Sequence, residues 1–205
     1  MPKILLLNGS PNREGCTYTA LKEVADTLNK HGVETEIIHV GNKPIQDCIA
    51  CMHCQKAGDR KCVFSNDAVN EVIAKLAEAD GLVAGSPVYY SGPTGRICSF
   101  LDRVFFAGGE IMPGKIGAAV VSCRRGGATA AFNRLNLYFS MNNMIIATSQ
   151  YWNQVHGFTP DDVRKDIEGM QTMRTLGQNI AWLLRGMKDN PLPEYEPATF
   201  TNFIR

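Results

Sequence analysis

The sequence predicts an α/β fold: a doubly wound, five-stranded parallel sheet covered by helices on both faces, giving three α/β/α layers. Two observations predict it. Five short apolar runs alternate along the chain with five stretches of helical periodicity, the pattern of a buried parallel sheet with right-handed crossovers. The turns after the first, third and fourth apolar runs are rich in Gly, Ser or Thr, and in such sheets the ligand lies beyond the carboxyl ends of the strands. At 205 residues and 44% hydrophobic content, the chain suffices for one domain with a sizeable core.

Residues 3–8 read as a buried strand through Ile4, Leu5, Leu6 and Leu7. Residues 15–31 read as a helix with Ala20, Leu21, Val24, Ala25 and Leu28 on one face and Gly32 just past its end. Residues 33–40 alternate apolar and polar, as a half-buried or edge strand does. The cysteine-bearing segment 41–65 is longer than an ordinary connection and reads as an irregular functional insertion. A helix follows over 66–79, a short strand over 81–85, a turn-rich loop over 86–93 and a helix over 94–106. Then come a strand over 115–122, a basic glycine loop over 124–129, a helix over 130–141, a strand over 144–148 and one long helix over 161–185. The domain is expected to span 1–186, with 187–205 a polar, proline-containing tail lying on the surface or on a partner.

Bulk properties exclude several functions. A formal charge of +1 gives no reason to expect nucleic acid or a membrane surface as partner. No run approaches the roughly 18 apolar residues of a membrane span. The N-terminus enters a strand without a leader, so a cytoplasmic location is expected. Seven cysteines, an odd number without a secretion signal, argue for thiols, metal ligation or redox chemistry rather than a disulfide framework.

The most informative stretch is Asn8-Gly9-Ser10-Pro11-Asn12-Arg13-Glu14-Gly15-Cys16-Thr17, a glycine- and hydroxyl-rich turn between a strand and a helix. Backbone amides and the helix dipole at such a turn favour an anion. Ser10, Asn12 and Thr17 add donors and Arg13 adds charge. Five residues separate Gly9 from Gly15, and Cys16 stands where a nucleoside-triphosphate loop has lysine. The Gly-x-Gly-x-x-Gly dinucleotide pattern is also missing. A phosphate monoester of a mononucleotide remains the fit.

The second loop, Gly85-Ser86-Pro87-Val88-Tyr89-Tyr90-Ser91-Gly92-Pro93-Thr94, reads as an open path of amides and carbonyls for the edge of a flat heterocycle, with Tyr89 or Tyr90 as cover. The third, Ser122-Cys123-Arg124-Arg125-Gly126-Gly127, offers amides and a cation to the same ring. Cys98 and Cys123 read as packing residues.

The motifs Gly9-Ser10-Pro11 through Thr17, Gly85-Ser86-Pro87-Val88-Tyr89, Phe100-Leu101-Asp102-Arg103 and Tyr151-Trp152-Asn153-Gln154-Val155-His156-Gly157 resemble the NAD(P)H-dependent FMN reductase family of the flavodoxin-like superfamily. The resemblance implies non-covalent FMN, with Ser10, Asn12, Arg13, Gly15, Cys16 and Thr17 on the phosphate and Pro87, Val88, Tyr89, Tyr90, Ser91 and Gly92 on the ring. Ser122, Arg124, Gly126 and Gly127 complete the expected cofactor set. Cys16 departs from the asparagine often found there. It further implies NAD(P)H as hydride donor, an electron acceptor that is a quinone, nitro or azo compound, flavin or protein, and a homodimer or homotetramer, for which Phe105 and Phe106 offer apolar surface. Flavin chemistry requires no obligatory acid–base residue; His156 is the candidate proton donor to substrate.

Cys48-x-x-Cys51-x-x-Cys54 followed by seven residues and Cys62 resembles the compact motif of the iron–sulfur flavoproteins. A [4Fe–4S] cluster on these four thiolates is one reading, a zinc site with His53 as substitute ligand a second, and reduced thiols without metal a third. The function expected is an FMN-dependent oxidoreductase, with an iron–sulfur electron carrier or a non-catalytic flavodoxin-like binding module as alternatives.

Overall fold

Leu5 and Leu7 point to one side of the first strand, Ile4 and Leu6 to the other, and all four are fully buried in two separate hydrophobic clusters. That alternation, with both faces apolar, makes the sheet the middle layer. The computed structural model describes residues 1–197 and 199–201. Its strands are β1 (Lys3–Asn8), β2 (Glu34–His39), β3 (Gly81–Pro87), β4 (Ile116–Cys123), β5 (Ile145–Ile146) and β6 (Gln154–His156). Its helices are α1 (Cys16–Lys30), α2 (His53–Ala57), α3 (Val69–Glu78), α4 (Gly95–Gly108), α5 (Ala128–Met141), α6 (Pro160–Lys165) and α7 (Ile167–Met187).

All strand pairs are parallel, in the order β2-β1-β3-β4-β5, with β6 also on β4. Helices α1, α6 and α7 cover the face bearing Ile4, Leu6, Val83, Ala118 and Val120. Helices α3, α4 and α5 cover the face bearing Leu5, Leu7, Leu82, Ala84, Ala119 and Val121. The fold class is the expected one, and the order is that of flavodoxin-like sheets.

Three elements differ from expectation. The fifth strand position is filled twice: β5 pairs with the start of β4, at Ile116 and Gly117, and β6 with its end, at Val121 to Cys123. The chain leaves the sheet between them and returns, so the strand expected over 144–148 shrinks to two residues and an unexpected sixth appears. The single helix expected over 161–185 is broken at Asp166, whose backbone (φ −75°, ψ 81°) belongs to neither α6 nor α7. Its carboxylate accepts from Gly169 N at 2.9 Å and His156 N at 2.6 Å. A short side chain that satisfies helix-start amides competes with helix continuation. Finally, the cysteine segment contains the five-residue helix α2.

No helix among the described residues is long and apolar enough to cross a membrane. Among the described residues beyond Met187 there is no helix or strand, and Leu192 lies against Gly114; the tail expectation for Ala198 and residues 202–205 lies outside the described residues.

Close packing between α5 and β4 is tested by Gly117→Ala, whose new Cβ would sit 2.6 Å from Phe139 Cγ and 2.7 Å from Cδ1. Overpacking of this kind should cost about 1–3 kcal/mol; urea unfolding measures it, and an unchanged midpoint would contradict the packing described.

Candidate functional site: three locked loops and a cysteine pocket

The loops after β1, β3 and β4 meet at the carboxyl edge of the sheet. Gly9 N donates to Gly85 O at 2.9 Å, and an added Cβ at Gly9 would meet that oxygen at 2.9 Å and Ile97 Cβ at 2.7 Å. Only glycine permits this approach of two backbones. Thr94 Oγ1 donates to Gly9 O at 2.9 Å and accepts from Ile97 N, so one hydroxyl caps α4 and holds the first loop. Thr17 and Ser122 share a 2.8 Å hydroxyl hydrogen bond between the first and third loops. Gly127, at φ +89°, lies where a Cβ would meet Ser91 Cα at 2.9 Å, joining the third loop to the second.

Within the first loop, buried Asn8 does what backbone pairing does elsewhere. Its Oδ1 accepts from Ser10 N at 3.1 Å, and its Nδ2 donates to Arg13 O at 3.0 Å. Ser10 Oγ accepts from Asn12 N at 3.1 Å, and His39 Nε2 lies 2.9 Å from Ser10 O. The amides of residues 13–18 donate to no protein acceptor among the described residues, and Gly15 caps α1 without a side chain. A shaped cradle of free donors at a helix start suits a phosphate group. Ser10 and Thr17 are buried at it, Gly15 and Cys16 are half-buried, and Asn12 and Arg13 are exposed.

Cys16 Sγ lies 3.8 Å from Gly157 O. Burial pushes this thiol up, and the charge of Asp162 adds to the effect. A neutral thiol does not repel an anion, which removes the objection that this cysteine raises.

The second loop is not the open path expected. Tyr89 and Gly92 exchange backbone hydrogen bonds at 2.8 and 2.9 Å, with Tyr90 (φ 50°) and Ser91 (φ 63°) both left-handed between them. This is a closed two-residue hairpin, with Tyr89 half exposed and Tyr90 in solvent at its tip. Pro87, Val88 and Gly92 are half-buried at its base, and Val88 N donates to Ser122 O at 3.0 Å. In the third loop Arg124 and Gly126 are exposed and Gly127 is half-buried, while buried Cys123 donates to Gly126 O at 2.9 Å. His156 is exposed at the end of β6. Buried Asn153 Nδ2 and Gln154 Oε1, at its start, have no partner among the described residues.

The four cysteines of the insertion line one small pocket. Cys48, Cys51, Cys54 and Cys62 share it with Ile49, Met52, Val63, Phe64, Arg103, Phe106 and Ala107. Ala50 (φ 50°) and Met52 (φ 58°) are left-handed on either side of Cys51. Such alternation turns successive amides to one side, as around phosphate and iron–sulfur groups. The segment is fastened from outside. Asn70 accepts from Cys62 N at 2.8 Å and donates to Cys62 O and Phe64 O, and Gln55 Nε2 donates to Phe106 O at 3.0 Å. Burial pushes the Cys54 thiol up, and the charges of Cys51 and Cys62 add to it. Among the described residues no three His, Cys, Asp or Glu side chains converge as on a single ion. A zinc site would require the thiols to be drawn together. All seven cysteines are free.

The four motif residues on α4 divide sharply. Phe100 and Leu101 belong to the core, Asp102 accepts from Tyr138 Oη, and Arg103 reaches the cysteine pocket. Phe105, expected as interface surface, is instead buried on Tyr138 with ring centroids 5.4 Å apart, while Phe106 is 41% exposed. The patterns used on the sequence missed Asn8, Thr94 and Asn70, because each acts on a partner distant in sequence or through its own backbone turn.

Residues 2–159 match the family of NADPH-dependent FMN reductases. The chain belongs to that family. It is therefore a flavoprotein oxidoreductase of an FMN-dependent group. It is 31% identical over 194 residues to an iron-sulfur flavoprotein of Methanocaldococcus jannaschii, covering 91% of this chain and 99% of that one. An iron-sulfur flavoprotein of Archaeoglobus fulgidus is 36% identical over 140 residues, covering 66% of this chain and 67% of its own. Among solved structures, RosB with a bound formylated riboflavin phosphate intermediate superposes with a TM-score of 0.73 at 16% identity, covering 100% of this chain and 93% of RosB. An archaeal flavodoxin gives 0.61 at 17% identity over 90% of this chain and 99% of its own. At these identities the structures speak for the fold.

A thiol raised by burial has a smaller thiolate fraction at a given pH. Alkylation of Cys16 in FMN-free protein, followed by mass spectrometry against pH, should have its midpoint above that of a free thiol, about 8.5. A midpoint below that value would contradict the environment described.

Proposed function

We propose that this protein is an electron-transferring FMN oxidoreductase that carries a [4Fe–4S] cluster on Cys48, Cys51, Cys54 and Cys62. The observation that carries the proposal is that these four cysteines, spread over 15 residues of an irregular segment, line a single pocket walled by apolar side chains. The donor set fits: four thiols, a left-handed residue on each side of Cys51, and the apolar side chains of Ile49, Met52, Val63, Phe64 and Phe106 around them. When bound, FMN supplies both hydride and single-electron chemistry, and a cluster supplies single-electron chemistry.

The chain's own residues hold and orient. The free amides at 13–18, with Ser10, Asn12, Arg13 and Thr17, receive the phosphate. Residues 87–92, with Ser122, Arg124, Gly126 and Gly127, flank the ring. Cys16 stays protonated and leaves the phosphate unopposed. No residue is assigned as obligatory acid or base; exposed His156 is the remaining candidate for giving a proton to substrate. A reduced pyridine nucleotide as electron source is a second reading, favoured by the family match over residues 2–159. The acceptor is then a quinone, nitro or azo compound, flavin or protein.

Two experiments test the two halves separately. Protein purified without oxygen should carry flavin and about four irons per chain, and the double change Cys51→Ser with Cys54→Ser should remove the iron and leave the flavin. Iron that resists reconstitution, or that survives the double change, would overturn the cluster. Thr17→Val removes a donor to the phosphate and the bond to Ser122, and should weaken FMN binding about tenfold or more. Titration by flavin fluorescence measures it; unchanged affinity would move the phosphate elsewhere.

A further inference from the structure

We propose that Arg103 is a positioning residue that sets the reduction potential of the group held in the cysteine pocket. The inference rests on the cluster reading above and adds a role for a residue that is not itself a ligand.

Arg103 is 1% exposed and is the largest fully buried side chain described. Its guanidinium uses every face. Nε donates to Cys62 Sγ at 3.1 Å. Nη1 donates to Gln46 O at 3.2 Å and to Asp67, and Nη2 to Phe64 O at 3.1 Å and Asp67 Oδ1 at 3.3 Å. The Phe64 ring lies 5.1 Å from its centre. Gln46 precedes the first cysteine of the motif, and Cys62, Phe64 and Asp67 lie at or beyond its end. One side chain from α4 therefore closes the segment and places a permanent cation on a ligand sulfur.

Closure alone does not account for the choice of residue. Burying a guanidinium and a carboxylate costs several kcal/mol per ion in desolvation, and apolar replacements of such pairs are often as stable. A hydrogen bond to a ligand sulfur and a nearby fixed charge are two of the levers that set cluster potentials. The reduced form carries one more negative charge, so Arg103 favours it and raises the potential. Asp67 opposes this by partly neutralising the cation, because buried charges are weakly screened.

The test is potentiometric titration of anaerobically reconstituted protein, with the cluster followed by electron paramagnetic resonance and iron assayed first. Arg103→Met should shift the cluster potential negative, and Asp67→Asn should shift it positive. A residue that only pegs the loop does not produce opposite signs. Potentials equal to wild type in both variants, or shifts in the same direction, would overturn the proposal. If Arg103→Met fails to fold or load, Asp67→Asn decides alone: a positive shift supports the role, and an unchanged or negative one removes it. Wild-type protein that binds flavin but takes up no iron on anaerobic reconstitution would overturn the cluster reading itself, and this inference with it, before any potential is measured.

Discussion

The structure turns on two peptide backbones that approach each other without side chains between them. Gly9 and Gly85 meet at the carboxyl ends of adjacent strands, and Thr94 clamps the junction by donating to Gly9 O. From that contact the remaining geometry follows. The first loop is forced outward over α1, where Asn8 gives it shape and its later amides stay free. The second loop closes as a tight hairpin. The third is held to both by the Thr17–Ser122 bond and the Gly127–Ser91 approach. Three loops that would each be mobile alone are fixed as a triangle, and fixed donors lose less entropy when they receive a ligand.

Much of this was legible because the governing forces are local. The apolar run Ile4, Leu5, Leu6 and Leu7 named a buried strand, and the Gly-Ser-Pro turn pointed to the unpaired amides found at the start of α1. What escaped depended on distant partners. Nothing near Thr94 in sequence announces that its hydroxyl reaches Gly9, 85 residues earlier. The break at Asp166 comes from a carboxylate that serves β6 as well as α7, and β6 itself is three residues long and pairs only with the end of β4. Helical periodicity runs straight through such a break, because Val163 and Met173 are buried on either side of it. The open second loop was misread for the opposite reason: glycine and proline mark a turn without saying that Tyr90 and Ser91 adopt the left-handed conformations that close it.

The cysteine segment shows both limits at once. The spacing of its thiols marked four cysteines as candidate ligands, but spacing cannot say whether they share one pocket. Their shared pocket is held from outside, by Asn70 on α3, by Gln55 donating to Phe106 O on α4, and by Arg103 on α4. The segment is thus an insertion in sequence and a part of the α3–α4 face in packing.

Helix α4 is the element shared by both sites. Thr94 at its start holds the first loop, and Arg103, Phe106 and Ala107 near its end wall the cysteine pocket. Arg103 is nine positions after Thr94, about 14 Å at 1.5 Å per residue, so the two sites are joined by a rigid rod rather than by a loop. The rod is polarised. Its positive end lies toward the loops expected to hold an anionic cofactor, while its negative end lies toward the cysteine pocket. The second arrangement does not by itself favour negative charge on the sulfurs of that pocket. Arg103, buried within the last two turns of that helix, donates to one of those sulfurs and sets a positive charge against that partial negative one. A positive charge at that position thus answers the direction of the helix as well as the pocket.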